Sequence, residues 1–239
     1  RAFAGTPIKS ASFGREMTSI PDGAYQNCKE LTKITIPDGI TEIDDDAFAG
    51  CIALQSVVIP EGVKEIDDRA FMGCSALMSA KLPESLEELG KDAFAECSSL
   101  QIINLPKGLK KIGNGALRGC KSLAEPLIIG TTLVLVPAAT EGEYTIPENV
   151  TAIAGGAFTD CVGITDIVFP EGLTEIAPRT FIGCNGLERL DLPKTLEKVA
   201  DEAFLNCTGL KFVIVRGNTE VADEAFSGCY NLTSIVHNN

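Results

Sequence analysis

The chain has 239 residues, and its 33 acidic against 20 basic side chains give a formal net charge of −13. This acidity argues against a nucleic-acid binder, which uses Lys and Arg to neutralise phosphates, and against docking on an anionic membrane surface. The sequence contains one His and no Trp, which leaves little for general-base catalysis or for a His-ligated metal. It contains no apolar stretch of about eighteen residues that would predict membrane insertion. We therefore expect a folded protein that is not an enzyme, with no catalytic residues, no cofactor and no metal.

Internal repetition is the main feature of the sequence. The nine cysteines are spaced by 23 residues, with one gap of 41 residues and a final gap of 22 residues. They are Cys28, Cys51, Cys74, Cys97, Cys120, Cys161, Cys184, Cys207 and Cys229. A Phe or Tyr stands three residues before eight of these nine cysteines. A period of roughly 20–50 residues is typical of solenoid proteins, in which each repeat packs on its neighbours.

The repeat that ends at Cys74 contains two different apolar patterns. Val57 and Ile59 occupy alternate positions, as in a short strand with one buried face. Ala70, Phe71 and Cys74 are spaced as on one face of a single helical turn. Neither element can bury its apolar face alone. Stacking of the repeats in register therefore predicts a parallel sheet on one side and short helical turns on the other.

Turn-forming residues mark the joints of the repeats. Pro60 fixes the backbone where the strand ends, and Gly62 two positions later suits a turn. The residue before the cysteine is Gly, Asn or Asp in eight of nine repeats. These residue types tolerate a left-handed backbone conformation, so we interpret this position as the end of the helical turn.

The pattern CxxLxxIxIPxxVxxIxxxAFxxC resembles the BspA-like (Treponema-type) leucine-rich repeats of bacterial surface proteins, over essentially the whole chain. The resemblance implies a leucine-rich-repeat solenoid with a concave parallel β-sheet and a secreted or cell-surface location in a bacterium. It also implies a role in adhesion or host-protein binding, and it supplies no catalytic residues. Because strand–crossover–strand units are almost always right-handed, we predict a right-handed α/β repeat solenoid that forms a single domain over residues 1–239.

The repeat pattern is irregular at two places. Residues 1–6 match the helical turn of an earlier repeat, with Thr6 at the cysteine position, and no polar cap is evident after the last repeat. Uncapped ends would allow self-association or flanking sequence. At residues 124–143, two β-prone runs flank the Gly-containing segment 130–132, which favours a β-hairpin. The alternative is a shortened repeat that has lost its helical turn.

For the cysteines and the acidic runs we favour structural interpretations. Nine is an odd number, in-register side chains point the same way, and no CxxC pair is present. We therefore predict a ladder of buried, reduced thiols, Cys74, Cys97 and Cys184 among them, rather than disulfides or a zinc site. Acidic runs such as 44–46 lack the spacing of an EF-hand. We interpret them as solvated acids at the start of the helical turn, not as calcium ligands.

The concave face of the predicted sheet is the surface most suited to recognition. Its outward positions are small and polar in the first repeats, whereas the last four repeats present apolar residues around an Arg and an Asp. The predicted patch consists of Val168, Arg189, Asp191, Phe212, Ile214 and Val236. Exposed apolar residues with an Arg are typical of partner-binding surfaces. Ordinary β-propensity, or contact with a C-terminal extension, would give the same pattern.

These observations favour a non-enzymatic binding or adhesion module whose concave face recognises a protein or glycan, such as an extracellular host molecule. The alternative is a structural spacer whose repeats display another domain of a longer protein. An enzyme is the least favoured class, because only His237 is available to activate a nucleophilic Ser.

Overall fold

Successive coils of the chain pair strand on strand, and most coils contribute one strand to each of two sets of parallel strand pairs. The computed structural model describes residues 1–14 and 16–238. They divide into two units, one formed by Arg1–Leu123 and the other beginning at Ala124. The described residues contain no α-helix, and therefore no helix of the length and apolarity needed to cross a membrane.

The first unit contains ten short strands in two sets. They are β1 (Ser10–Ser12), β2 (Ser19–Ile20), β3 (Lys33–Thr35), β4 (Glu42–Ile43), β5 (Ser56–Val58), β6 (Glu65–Ile66), β7 (Ser79–Lys81), β8 (Glu88–Leu89), β9 (Ile102–Ile103) and β10 (Lys111–Ile112). In the first set, β1 pairs with β3, and β5, β7 and β9 form a further parallel ladder. The two-residue strands β2, β4, β6, β8 and β10 form the second set, also parallel. Paired residues are 23 positions apart, so equivalent positions of neighbouring coils face each other.

The second unit repeats this arrangement after an antiparallel start. Its strands are β11 (Leu127–Ile129), β12 (Thr132–Leu135), β13 (Glu141–Thr145), β14 (Ala152–Ile153), β15 (Gly163–Val168), β16 (Glu175–Ile176), β17 (Arg189–Asp191), β18 (Lys198–Val199), β19 (Phe212–Arg216), β20 (Glu220–Val221) and β21 (Ser234–Asn238). Parallel pairing joins β13 with β15, β17 with β19 and β21, and β16 with β18 and β20. The odd-numbered strands from β13 to β21 form what we call the sheet face of this unit.

The predicted strands and the predicted hairpin are confirmed. β11 and β12 are antiparallel, and Ile129 pairs with Thr132. The loop is therefore two residues long, one shorter than predicted, with Gly130 at a φ of 57°. β12 also pairs in parallel with β14. The hairpin thus takes the place of a regular coil, and its second strand pairs with the two-residue strand β14.

The predicted helical turns are wrong. In the segment before Cys51, the amide of Phe48 donates to the Ala70 carbonyl of the next coil at 2.7 Å, whereas the amide of Ala49 donates to Asp46 within its own coil at 3.0 Å. An α-helix needs every amide to donate four residues back along the same chain. Here every second backbone amide donates its hydrogen bond to a carbonyl of the neighbouring coil instead. Asp46, with a φ of 54°, further interrupts the right-handed conformation.

The left-handed backbone predicted before each cysteine is confirmed at all nine positions. A second left-handed position, five residues before the cysteine, was not predicted. It is occupied by ordinary side chains such as Arg69, Arg179 and Glu202, and these residue types carry no sequence signal for this conformation. A left-handed residue therefore stands near each end of this segment, which consists of consecutive β-turns and is not a helix.

Residues 1–6 form the turn of an earlier coil, as predicted, but this turn is not helical. The amide of Phe3 donates to Ala24 at 2.9 Å, and the rings of Phe3 and Tyr25 stack with centroids 5.2 Å apart. Thr6 occupies the cysteine position, and its hydroxyl donates to the Phe3 carbonyl at 2.7 Å.

Aromatic rings stacked from coil to coil fill the core of each unit. In the first unit, Phe48, Phe71 and Phe94 are fully buried, and their successive centroids are 5.1 and 5.0 Å apart. In the second unit, Phe181 and Phe204 stack at 4.9 Å with nearly parallel planes. The ring spacing equals the spacing of neighbouring strands, about 4.8 Å, so the rings follow the coils without offset.

The nine cysteines are buried free thiols, as predicted. Each donates its S–H to a backbone carbonyl of the coil before it; Cys74, for example, donates to Phe48 at 3.3 Å and Cys184 to Phe158 at 3.0 Å. Burial raises the pKa of the Cys51 thiol to about 12 and raises that of Cys97 well above its usual range. The thiols of Cys51 and Cys97 are therefore protonated hydrogen-bond donors, which are poor nucleophiles.

Phe94→Ala tests the aromatic stack. Removing a fully buried ring between two coils should lower the free energy of unfolding by about 3–5 kcal/mol, measured by urea denaturation. Tyr230, whose side chain is 86% exposed, provides the control, because Tyr230→Ala should change stability by less than about 0.5 kcal/mol. A loss below about 1 kcal/mol for Phe94→Ala would contradict the stacked core.

The thiol ladder predicts a difference between the native and the denatured protein. Titration of the denatured, unreduced protein with a thiol reagent should find all nine cysteines, whereas the native protein should react slowly because its thiols are buried. The variant Ser56→Cys, at an exposed strand position, should add one rapidly reacting thiol. Missing thiols in the denatured protein would contradict the ladder.

Candidate functional site

The six predicted site residues lie on the sheet face of the second unit. Val168 is on β15, Arg189 and Asp191 are on β17, Phe212 and Ile214 are on β19, and Val236 is on β21. Strand register aligns Arg189 with Phe212, and Asp191 with Ile214 and then Val236. The structure therefore brings the residues together, as the repeat spacing requires.

The patch is less apolar than its sequence suggests. Only Val168 among its apolar members is clearly exposed, at 41%, whereas Ile214 is buried with 8% of its surface accessible. The guanidinium of Arg189 lies over the ring of Phe212, 6.0 Å from the centroid, within the range of a cation–π contact. Arginine side chains thus cover part of the apolar surface.

Arg216, which the sequence analysis did not identify, organises the charges of this region. Its guanidinium donates to both carboxylate oxygens of Asp191, at 2.6 and 2.7 Å. Arg189 adds a longer ion pair with Asp191 at 3.8 Å. Hydrogen bonding to Arg216 lowers the pKa of Asp191, and the charges of the two arginines add to this effect. A sequence signal did exist, because Arg216 stands two residues after Ile214 and therefore points to the same face.

A groove of about 570 Å³ lies over this region, within the range of roughly 300–1,000 Å³ that is typical of ligand pockets. It is lined by Glu143, Asp166, Ile167, Val168, Phe169, Glu171, Arg189, Asp191, Leu192, Pro193, Lys194 and Arg216. The groove spans β15 and β17, which are neighbours but belong to separate hydrogen-bonded ladders. Three of the six predicted residues, Val168, Arg189 and Asp191, line it.

One part of the groove is acidic. Glu143 and Asp166 are register partners on β13 and β15, and like charges placed opposite each other are unfavourable. Glu171 follows β15 at the same groove. All three side chains are exposed, and among the described residues none forms an ion pair with a Lys or Arg. Asp166 accepts a hydrogen bond from the Ile167 amide at 2.9 Å, and Glu171 interacts electrostatically with Arg216; the carboxylates are otherwise available to a ligand.

A second acidic cluster lies in the first unit, on the two-residue ladder. Glu42, Asp44 and Asp67 each place a carboxylate oxygen within 4.8 Å of the others. One oxygen of Asp44 is buried without a hydrogen-bond partner. Burial, reinforced by the charges of Glu42 and neighbouring acids, raises the pKa of Asp67 to about 6. The main physical consequence is mutual repulsion, which partial protonation relieves.

The repeat pattern identifies the family. The model of the BspA type leucine rich repeat region matches residues 1–124 and 142–239, in six copies. The chain belongs to the BspA-type leucine-rich-repeat family. The unmatched segment contains the hairpin β11–β12, which is the part of the BspA-type array that departs from the 23-residue period. No functionally curated protein matches the chain in sequence.

Solved structures of other bacterial leucine-rich-repeat proteins show the same fold as this BspA-type chain. A leucine-rich repeat protein from Eubacterium ventriosum ATCC 27560 is 23% identical, with a TM-score of 0.73 over 96% of this chain and 73% of that chain. A leucine rich cell surface protein from Faecalibacterium prausnitzii A2-165 is 24% identical, with a TM-score of 0.58 over 97% and 79%. A leucine-rich-repeat protein of T. pallidum is 26% identical, with a TM-score of 0.53 over 75% and 78%.

Asp67 predicts a pH dependence of stability. The pKa of its carboxyl is about 6 in the folded protein and about 3.9 when unfolded, so the folded state binds the proton more tightly. The resulting stabilisation is fully present below about pH 4 and is lost as the pH rises through about 6. Asp67→Asn should therefore be more stable than wild type at pH 7, with the difference shrinking towards pH 4.

Urea denaturation at several pH values measures this difference. Asp38→Asn, which neutralises an exposed turn acid of the same unit, is the control and should shift stability little at either pH. A constant offset between Asp67→Asn and wild type across this range would contradict the interpretation.

Proposed function

We propose that this BspA-type protein is a non-enzymatic binding module that recognises a macromolecular partner on the sheet face of its second unit. The observation that carries the proposal is the charged groove over β15 and β17, which contains three of the six patch residues. Grooves of this size with a few convergent polar groups are the usual sites of ligand binding. The remaining patch residues, Phe212, Ile214 and Val236, continue the surface beyond the groove.

Two further observations support a recognition role outside the cell. A structural relative from Faecalibacterium prausnitzii is described as a cell surface protein, and we propose the same secreted or surface location here. The buried thiols donate to backbone carbonyls of the preceding coil, so the cysteines serve the core. A protein or glycan of a host, encountered extracellularly, is the partner class that we propose.

The structural spacer remains the second candidate. The regular coils of both units, with their buried aromatic stacks, would serve a spacer equally well. What favours binding is the departure from regularity at the groove, where charged residues gather at the junction of two ladders. A spacer has no use for such a feature.

A binding screen with patch variants tests the proposal. Extracellular host proteins and glycans are screened against the wild-type protein, and each hit is measured again with Phe212→Ala and Arg189→Ala. Because aromatic and Arg residues dominate binding hot spots, each variant should lose about 2 kcal/mol or more of binding free energy. Far-ultraviolet circular dichroism confirms that the variants are folded.

Matched controls come from the sheet of the first unit. Lys33 on β3 and Ile102 on β9 are exposed residues at equivalent strand positions, so Lys33→Ala and Ile102→Ala should leave binding unchanged. Equal losses in patch and control variants, or no loss in any of them, would contradict a site on the second unit. A screen without hits would favour the spacer.

A further inference from the structure

We propose that the groove over β15 and β17 receives an extended, cationic segment of the partner, with Lys or Arg side chains held by Glu143, Asp166 and Glu171. This inference rests on the proposed function and specifies the chemistry of the partner. It commits to a peptide segment of a protein, rather than to a glycan or a small cation.

The distribution of free charges points to a cation. In the basic part of the groove, Arg216 is bound to both oxygens of Asp191, and Arg189 contacts Asp191 and the ring of Phe212.

In the acidic part, Asp166 accepts a hydrogen bond from the Ile167 amide and Glu171 interacts electrostatically with Arg216, but no acid there forms an ion pair among the described residues. Lys194 is the single basic side chain of the groove lining without an ion pair among the described residues. The lining thus carries four acidic and three basic side chains; the acids without ion pairs gather along β13 and β15 and just after β15, and a cationic ligand at that place restores the balance.

The register of the strands strengthens this argument. Glu143 and Asp166 are direct partners in the β13–β15 pairing, so their backbones lie one strand spacing, about 4.8 Å, apart. Placing like charges opposite each other destabilises a sheet. A ligand ammonium or guanidinium between them converts this repulsion into two favourable contacts, at no cost in rearrangement of the backbone.

The floor of the groove suits the rest of a Lys or Arg side chain. Val168, which is exposed, and Phe169, which is half-buried, lie among the acidic residues. Lys and Arg carry an apolar stem below the charged group, and such stems cover apolar surface while the charge stays at a polar rim. An apolar floor with a carboxylate wall matches that amphipathic shape better than it matches a metal ion.

The dimensions of the groove favour an extended segment. A volume of about 570 Å³ accommodates a few residues and not a folded surface. In an extended chain, alternate side chains share one face at intervals of roughly 7 Å. A segment in which basic residues alternate with small residues would therefore point every basic side chain at the groove.

Fluorescent peptides of three compositions test the inference directly. One alternates Lys with Ala, the second alternates Glu with Ala, and the third alternates Gln with Ala. Fluorescence polarisation at low ionic strength should show saturable binding of the Lys-Ala peptide alone. Since contacts between exposed charges are screened by salt, its affinity should fall as the salt concentration rises.

A pair of charge-matched double variants locates the binding. Glu143→Gln with Asp166→Asn neutralises the register pair in the groove, and the Lys-Ala peptide should then bind about five- to tenfold more weakly. Glu42→Gln with Glu65→Gln neutralises a register pair of the first unit and changes the net charge equally. This control should bind the peptide within about twofold of wild type, and both double variants are checked for folding by circular dichroism.

Each other outcome overturns the inference. Equal weakening by the two double variants would show general attraction to an acidic protein, and equally tight binding of spermine would identify a small polycation as the ligand. Preferential binding of the Glu-Ala peptide, lost in Lys194→Ala, would leave the proposed function intact but reverse the charge of the partner. No binding of any peptide would refute the cationic segment, whereas the screen with Phe212→Ala would still decide the proposed function.

Discussion

Backbone hydrogen bonding between equivalent positions of successive coils is the constraint on which the rest of this structure depends. The parallel strand pairs join residues 23 positions apart in the first unit and 20 to 23 positions apart in the second, and the turns are also hydrogen-bonded to the next coil, as Phe48 is to Ala70. Because equivalent residues are held in register, their side chains point in the same direction in every coil, and the aromatic rings therefore stack on one another. The backbone carbonyl of a stacked aromatic residue such as Phe48 keeps room for one more hydrogen bond, and the cysteine thiol of the next coil donates to it. A Cys at this position is therefore a hydrogen-bond donor small enough for the core.

The strands of the sheet and the reduced cysteines could be predicted because alternation and exact repetition are visible in one sequence. The turns could not, since their spacing of Ala70, Phe71 and Cys74 suits a helix equally well. Two features prevent a helix. The neighbouring coil accepts hydrogen bonds from every second backbone amide, and a residue such as Arg69 has a left-handed backbone that its residue type does not indicate. The two-residue ladder was missed because a strand of two residues is too short to show a period.

The candidate site was only partly predictable, because contacts between neighbouring coils shape it as well as the repeat pattern. Repetition placed Val168, Arg189 and Asp191 on one face, which the structure confirms. The charge arrangement depends on where a long side chain reaches, since Arg216 on β19 extends back to Asp191 on β17. The groove itself arises where the ladder of β13–β15 gives way to that of β17–β19–β21. Such an interruption follows from local twist and packing, for which the repeat motif carries no marker.

The nearly constant separation of paired residues has a consequence for how the chain reaches this structure. Each parallel pairing of neighbouring coils closes a loop of 20 to 23 residues, with an entropic cost of roughly 3 kcal/mol by the logarithmic loop law. The cost does not grow with the number of coils already stacked, so order can spread from any coil to the next. A chain that emerges gradually from a narrow pore, one end first, can therefore acquire its structure one coil at a time, without waiting for distant segments.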